Sequence, residues 1–157
     1  MLEIGMICAE AGEKIARVSA NMAMAADMEV RASSTATTGA YSSACQRGLP
    51  AILMERGGGG RFTDSEVQAY KRDVKNIMIR MGLLSGEEVH TVQQKNVTRA
   101  EYLEAETDGL WYPVFSAGDT FAGGAVLGTV RDIWGNLLRE YRADYPGIIL
   151  YQTVGLG

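Results

Sequence analysis

A chain of 157 residues suits one domain or two small ones, and a content of 46% hydrophobic and 22% charged residues allows a core of ordinary size. A net charge of −4 with no basic stripe argues against a nucleic-acid partner. No run approaches ~18 consecutive apolar residues, so no membrane span is expected.

The start, Met1-Leu2-Glu3-Ile4-Gly5, lacks the basic residues and apolar stretch of a secretory signal. Cys8 and Cys45 form no CxxC pair and read as free thiols in a reducing, cytoplasmic setting.

Leu2 to Cys8 alternates imperfectly and reads as a strand. Glu10 to Asp27 reads as a helix, with Ile15, Val18, Met22 and Ala26 on one apolar face. Met22, Met24 and Met28 read as core filling. Glu29-Val30-Arg31 is a short strand, Ser33 to Thr38 a loop, and Gly39 to Gly48 a short helix closed by glycine. Ala51-Ile52-Leu53-Met54 is a continuous apolar run and reads as a buried, central strand.

Thr63-Asp64-Ser65-Glu66 has the form of a capping box. It opens a helix to about Met81, which Gly82 ends. Val67, Tyr70, Val74, Ile77, Met78 and Met81 fall on one side, expected to pack. Lys71, Arg72, Lys75 and Arg80 fall mostly on the other, expected to be solvated. The order of strands and helices to this point is an α/β pattern.

The character changes after Gly86. Short apolar segments, Tyr102-Leu103, Gly109 to Phe115, Ala125 to Val130, Leu137 to Tyr141 and Gly147 to Tyr151, alternate with turn signals such as Asp108-Gly109 and Pro146-Gly147. This predicts a small all-β module with Trp111 and Trp134 in its core. The expected division is an α/β domain over residues 1–88 and a β module over 89–157.

The candidate site is where the central strand stops. Met54 is followed by Glu55, Arg56 and the four glycines 57–60. Open α/β sheets bind ligands beyond the carboxyl ends of their strands, which would place Glu55 at a rim, and glycines allow torsions and close approaches that a Cβ forbids. A solvated carboxylate ahead of a loose turn is the other reading. The glycine run is not a Walker loop, since no Gly-Lys-Ser/Thr follows, nor a GxGxxG fingerprint. An anion at the following helix start remains open. His90, the single histidine, has no metal-ligand spacing around it and reads as structural. Tyr41 faces the same rim as Glu55 or packs its helix on the sheet.

The stretch Gly48-Leu49-Pro50-Ala51-Ile52-Leu53-Met54-Glu55-Arg56-Gly57-Gly58-Gly59-Gly60 resembles the catalytic-glutamate strand of the succinylglutamate desuccinylase/aspartoacylase family, zinc-dependent amidohydrolases related to the M14 carboxypeptidases. The helix ending Asn76 to Leu84 fits the same family. So do Asp108-Gly109-Leu110-Trp111-Tyr112-Pro113, Ala117-Gly118-Asp119, Gly124 to Gly128, Arg131-Asp132 and Gly135-Asn136.

The resemblance implies the C-terminal part of a mixed-sheet, carboxypeptidase-like α/β catalytic domain, followed by a small all-β biotinyl/lipoyl-like half-sandwich. It implies that Glu55 is a general base acting on a zinc-bound water, and that Tyr41 contacts substrate. One turn after that tyrosine such proteins carry an arginine, where this chain has Cys45, so the resemblance supplies no substrate-carboxylate anchor there. No lysine follows Lys95, so the module has nothing to lipoylate or biotinylate. The family holds zinc through a His-x-x-Glu pair and a second histidine, all upstream of the matched region. This chain has no histidine before His90, so no zinc is expected on this chain alone.

Two functions follow. One is an amidohydrolase part for small N-acyl amino acids, carrying the base without the metal and completed by an N-terminal segment. The other is a non-catalytic binding or assembly subunit. If Leu2 to Cys8 forms an open sheet edge, a homo-oligomer across that edge is expected.

Overall fold

The computed structural model describes residues 2–8 and 12–153. They divide into two compact units, one formed by Glu3–Glu101 and the other by the chain from Tyr102 together with Leu2.

The first unit is built on a mixed sheet of four strands in the order β3-β1-β2-β4. These are β1 (Ile4–Cys8), β2 (Val30–Ser34), β3 (Ile52–Glu55) and β4 (Lys95–Val97). β1 and β2 pair in parallel from Ile4↔Val30 to Cys8↔Ser34, and β4 continues in parallel beside β2. β3 is antiparallel to β1, from Ile4↔Glu55 to Ile7↔Ile52. Two expectations change here. The apolar run 51–54 forms an edge strand with half-buried side chains, not a central one. The segment Leu2 to Cys8 lies inside the sheet, so the edges are β3 and β4. Apolarity alone does not separate these cases, because an edge strand packed against helices is as apolar as a central one.

Helix α1 (Glu13–Ala25) packs on β1, β3 and α3. Its fully buried positions are small, Ser19, Ala23 and Ala25, which lets it approach closely. Ala26 turns to extended backbone at ψ 134° and ends the helix. The beginning of the predicted helix, residues 10 and 11, lies outside the described residues. The core is Ile4, Met6, Met28, Val30, Ala32 and Cys45 with the alanines of α1. Burial of a side chain such as Met28 or Val30 contributes about 1.5–3 kcal/mol. Met24, by contrast, is exposed. Helix α2 (Ala40–Gln46) lies against β1 and β3.

Helix α3 (Asp64–Arg80) begins with the predicted capping box: Glu66 N–H donates to Thr63 Oγ1, and Thr63 N–H donates to the Glu66 carboxylate. Its packed face differs from the prediction. The buried residues are Ala69, Asp73 and Asn76, whereas Val74, Met78 and Met81 are exposed. Hydrogen bonds explain the exchange. Asp73 accepts from Asp27 N–H and Arg56, and Asn76 bonds Val89 through both its amide groups.

The same bonds place residues 89–101 in this unit, where the sequence suggests a boundary at 88/89. The Asp27 carboxylate accepts from the amides of Thr91 (2.7 Å) and Val92 (3.1 Å), and β4 completes the sheet.

The second unit holds an antiparallel sheet in the order β5-β7-β8, with β5 (Leu110–Pro113), β7 (Val126–Arg131) and β8 (Leu137–Arg142). A separate pair joins β6 (Thr120–Phe121) and β9 (Gly147–Ile148). Tyr102-Leu103 forms no strand. Trp111 meets Tyr141 edge-on at 5.8 Å over Gly128, beside the buried Val130 and Ala143. Trp134 is not core: it is 81% exposed, at a turn that the Asp132 carboxylate holds through the amides of Trp134 and Asn136. No helix among the described residues is long and apolar enough to cross a membrane.

Candidate active site

Strand β3 delivers Glu55 to its end, and the glycines turn the chain immediately afterwards. Arg61 N–H donates to Gly58 O at 3.2 Å, closing a turn whose central residues, Gly59 and Gly60, both have positive φ (62° and 69°). Gly57 also has positive φ, and a Cβ there would lie 2.9 Å from Glu66 Oε1 and 3.1 Å from Arg61 O. The glycine run is thus a compact turn folded onto the helix cap. The carboxylate of Glu66 already occupies the helix start, where an anion was the open alternative.

Glu55 is exposed, and among the described residues no hydrogen bond or ion pair engages its carboxylate. Its place in the sheet differs from the expected rim. Because β3 runs against β1, Glu55 stands level with Ile4 and hence with Val30, at the amino ends of the two parallel strands. Cys8 and Ser34 end those strands at the opposite side of the sheet.

The next residue, Arg56, turns inward. Its side chain is 1% exposed. Its Nε and Nη2 both donate to Asp73 Oδ2, at 3.0 and 2.7 Å, and Nη2 also donates to Asp27 O at 2.8 Å. It pairs with Glu3, and its guanidinium lies 5.7 Å from the Tyr70 ring centre. Burial disfavours the charged guanidinium, but the bonds to Asp73 and Glu3 outweigh it and raise the pKa above the usual arginine value. Asp27 completes the network. Burial pushes its carboxyl up, yet the hydrogen bonds from Thr91 and Val92 and the charge of Arg72 hold it below the ordinary carboxylate range.

Tyr41 lies half-buried in the first turn of α2, on an element that packs against β3. No hydrogen bond joins it to Glu55 among the described residues. Cys45, one turn later, is buried. Its thiol lies 3.6 Å from Ser19 Oγ and 3.5 Å from Ala51 O, so this position fills the core instead of presenting a charge. His90 sits in a surface cluster, Nε2 2.9 Å from Glu88, which also pairs with Arg80. The Cys8 side chain lies outside the described residues. Among the described residues no group of three His, Cys, Asp or Glu side chains stands ready to hold a metal ion.

The Arg56 network escapes the sequence reading, which takes Lys71, Arg72, Lys75 and Arg80 of α3 as solvated and gives Asp73 no role. Its signal is present, though. Asp73 and Asn76 stand three residues apart on α3, on the side where Ala69 is buried, and a polar pair there has to meet polar partners.

No protein-family model and no curated protein matches this chain. Solved structures do. The product-bound ectoine utilization protein EutE (DoeB) from Ruegeria pomeroyi superposes with a TM-score of 0.78 at 21% identity, over 94% of this chain and 47% of that one. A succinylglutamate desuccinylase/aspartoacylase from Rhodobacter sphaeroides gives 0.75 at 22% identity, over 94% and 47%. A succinylglutamate desuccinylase from a Silicibacter species gives 0.73 at 21%, with the same coverage. This chain therefore spans about half the length of the solved proteins it matches, and it has the fold of a part of the succinylglutamate desuccinylase/aspartoacylase structures, consistent with their C-terminal part.

Proposed function

We propose that this chain supplies the general-base carboxylate, Glu55, of an amidohydrolase that deacylates small N-acyl amino acids. The observation that carries this reading is the exposed strand end. Glu55 leaves an ordered strand, faces solvent and keeps its carboxylate free of protein partners among the described residues. A general base needs an available lone pair within reach of water. In the proposed reaction Glu55 takes a proton from the water that attacks the acyl carbonyl. The new C–O bond forms, the C–N bond breaks, and Glu55 returns the proton to the departing amine. Tyr41, on the neighbouring helix, is the proposed substrate contact. The β unit is read as the half-sandwich of biotinyl/lipoyl type.

Zinc belongs to the family the chain resembles, but the residues described here do not fit the ion. The single histidine is engaged with Glu88, and no three-donor cluster surrounds Glu55. Metal ligands would come from outside the described residues. A second reading, a non-catalytic assembly subunit, is favoured by the open apolar stripe of α3, where Val74, Met78 and Met81 are exposed.

The test is complementation. The chain is mixed with zinc and with the half of EutE that it does not match, and hydrolysis of N-acetyl and N-succinyl amino acids is followed. Hydrolysis that requires both parts and disappears in Glu55→Gln supports the amidohydrolase. A complex that forms without hydrolysis, or activity indifferent to Glu55→Gln, favours the assembly subunit.

A further inference from the structure

The Tyr70 hydroxyl sits between the two peptide groups that flank Glu55. It donates to Met54 O at 3.2 Å and accepts from Arg56 N–H at 2.9 Å. In a parallel pair of strands, one residue of the neighbour donates to the carbonyl before a given residue and accepts from the amide after it. The phenol makes the same two bonds around Glu55. Among the described residues β3 is an edge strand whose only strand partner is β1, and Tyr70 reaches it from α3. Arg56 fixes the same peptide from the other end of its side chain, through Asp73, Glu3 and Asp27 O. Both anchors converge on one residue, whose own carboxylate has no partner among the described residues.

We propose that Tyr70 is a positioning residue for Glu55: its hydroxyl replaces a missing strand neighbour and holds the base in register, with Arg56 as the second anchor. The catalytic purpose rests on the amidohydrolase reading above, whereas the clamp itself does not. A base held within hydrogen-bond reach of its water transfers the proton efficiently, and a misplacement of about 1 Å costs up to 10²-fold in rate. Tyr70 touches no reacting atom, so its loss should act on turnover and not on substrate binding.

The experiment has two arms. In the first, amide exchange and ¹⁵N relaxation are measured on the chain and on Tyr70→Phe. The Arg56 amide should exchange at least ~10-fold faster in the variant. The order parameters of Glu55 and Arg56 should fall from about 0.85 to below about 0.6, while those of α3 stay unchanged. The unaltered chain gives a reading that needs no variant: a slowly exchanging Tyr70 hydroxyl proton with a nuclear Overhauser effect to the Arg56 amide. Absence of that proton, or an unchanged Arg56 amide in Tyr70→Phe, overturns the clamp whatever the chain catalyses. In the second arm, Tyr70→Phe is placed in the complemented hydrolase. There kcat should fall about 10-fold with KM unchanged. Wild-type kcat in Tyr70→Phe, where Glu55→Gln is inactive, overturns the positioning role while the hydrolase reading stands. Activity indifferent to Glu55→Gln overturns the hydrolase reading and the catalytic purpose together, and leaves the first arm to decide the clamp.

Discussion

Arg56 and Asp73 meet in the interior of the α/β unit, with side chains 1% and 0% exposed, and two guanidinium nitrogens donate to the single oxygen Oδ2. The other oxygen, Oδ1, accepts from the Asp27 amide at 2.8 Å. One carboxylate thus ties α3 to the end of β3 and to the second residue after α1. Removing one member of a buried pair strands the other charge, at about 3–5 kcal/mol. Asp73→Ala should therefore lose a large part of the roughly 5–15 kcal/mol that stabilises a small domain. Chemical denaturation would measure it. A loss below about 1 kcal/mol would mean that Arg56 finds equal compensation from Glu3 and the Asp27 carbonyl.

Acid should act through Asp27. Burial pushes this carboxyl up, but the bonds from Thr91 and Val92 and the charge of Arg72 leave its pKa below the ordinary value. In the unfolded chain it titrates at about 3.9. Above that pH both states are charged, and the folded state keeps the full benefit. As the pH falls, the unfolded chain binds its proton first, so stability declines until the folded carboxyl also protonates at its lower pKa. The stability curve should fall from about pH 4 downward, and Asp27→Asn should flatten it at a cost of roughly 1–3 kcal/mol at neutral pH. Equal slopes in the two proteins would remove Asp27 as the source.

The β unit has its own critical point at Gly128. A Cβ there would lie 2.2 Å from Trp111 Cη2 and 2.4 Å from Cζ2. Trp111 would have to leave its edge-on contact with Tyr141. Gly128→Ala should cost about 1–3 kcal/mol, as overpacking does, and should weaken the near-ultraviolet circular dichroism of the aromatic pair. An unchanged spectrum would show that the ring moves aside without loss.

Much of this fold is legible from spacing. The capping box at Thr63 and Glu66 announces α3, and the turn pairs after Gly86 announce an all-β unit. What spacing does not carry is direction and neighbourhood. Nothing in Ile52-Leu53-Met54 says that β3 runs against β1, yet that direction puts Glu55 beside Ile4 instead of at the carboxyl ends of β1 and β2. Periodicity assigns a face to α3 but cannot tell which face packs. Val74 and Met78 are exposed because the polar stripe of Asp73 and Asn76 finds bonds inside. Glu55 is visible as a charge ending an apolar run. Its clamp is not, because Tyr70 and Arg56 lie 14 residues apart and meet only through the packing of α3 on β3.

The exposed stripe leads to a prediction about association. Val67, Val74 and Met81 stand seven residues apart along α3 and its C-cap, with Tyr70 and Ile77 between them; Val74 and Met81 are exposed and the other three half-buried. This is the spacing of a seam between two helices. Val67, Tyr70, Lys71 and Val74 line an open, largely apolar depression on that helix. The sheet also ends at β4, a three-residue edge strand open to pairing. The chain should therefore self-associate, or bind the half of its structural neighbours that it does not match. Sedimentation velocity over a hundredfold concentration range would show a dimer or larger species. Val74→Asp with Met78→Asp should return it to monomer without unfolding, since both positions are exposed and the packed stripe of Ala69, Asp73 and Asn76 is untouched. A wild-type chain that stays monomeric throughout, and that does not bind the complementary half, would make the stripe an ordinary solvated surface.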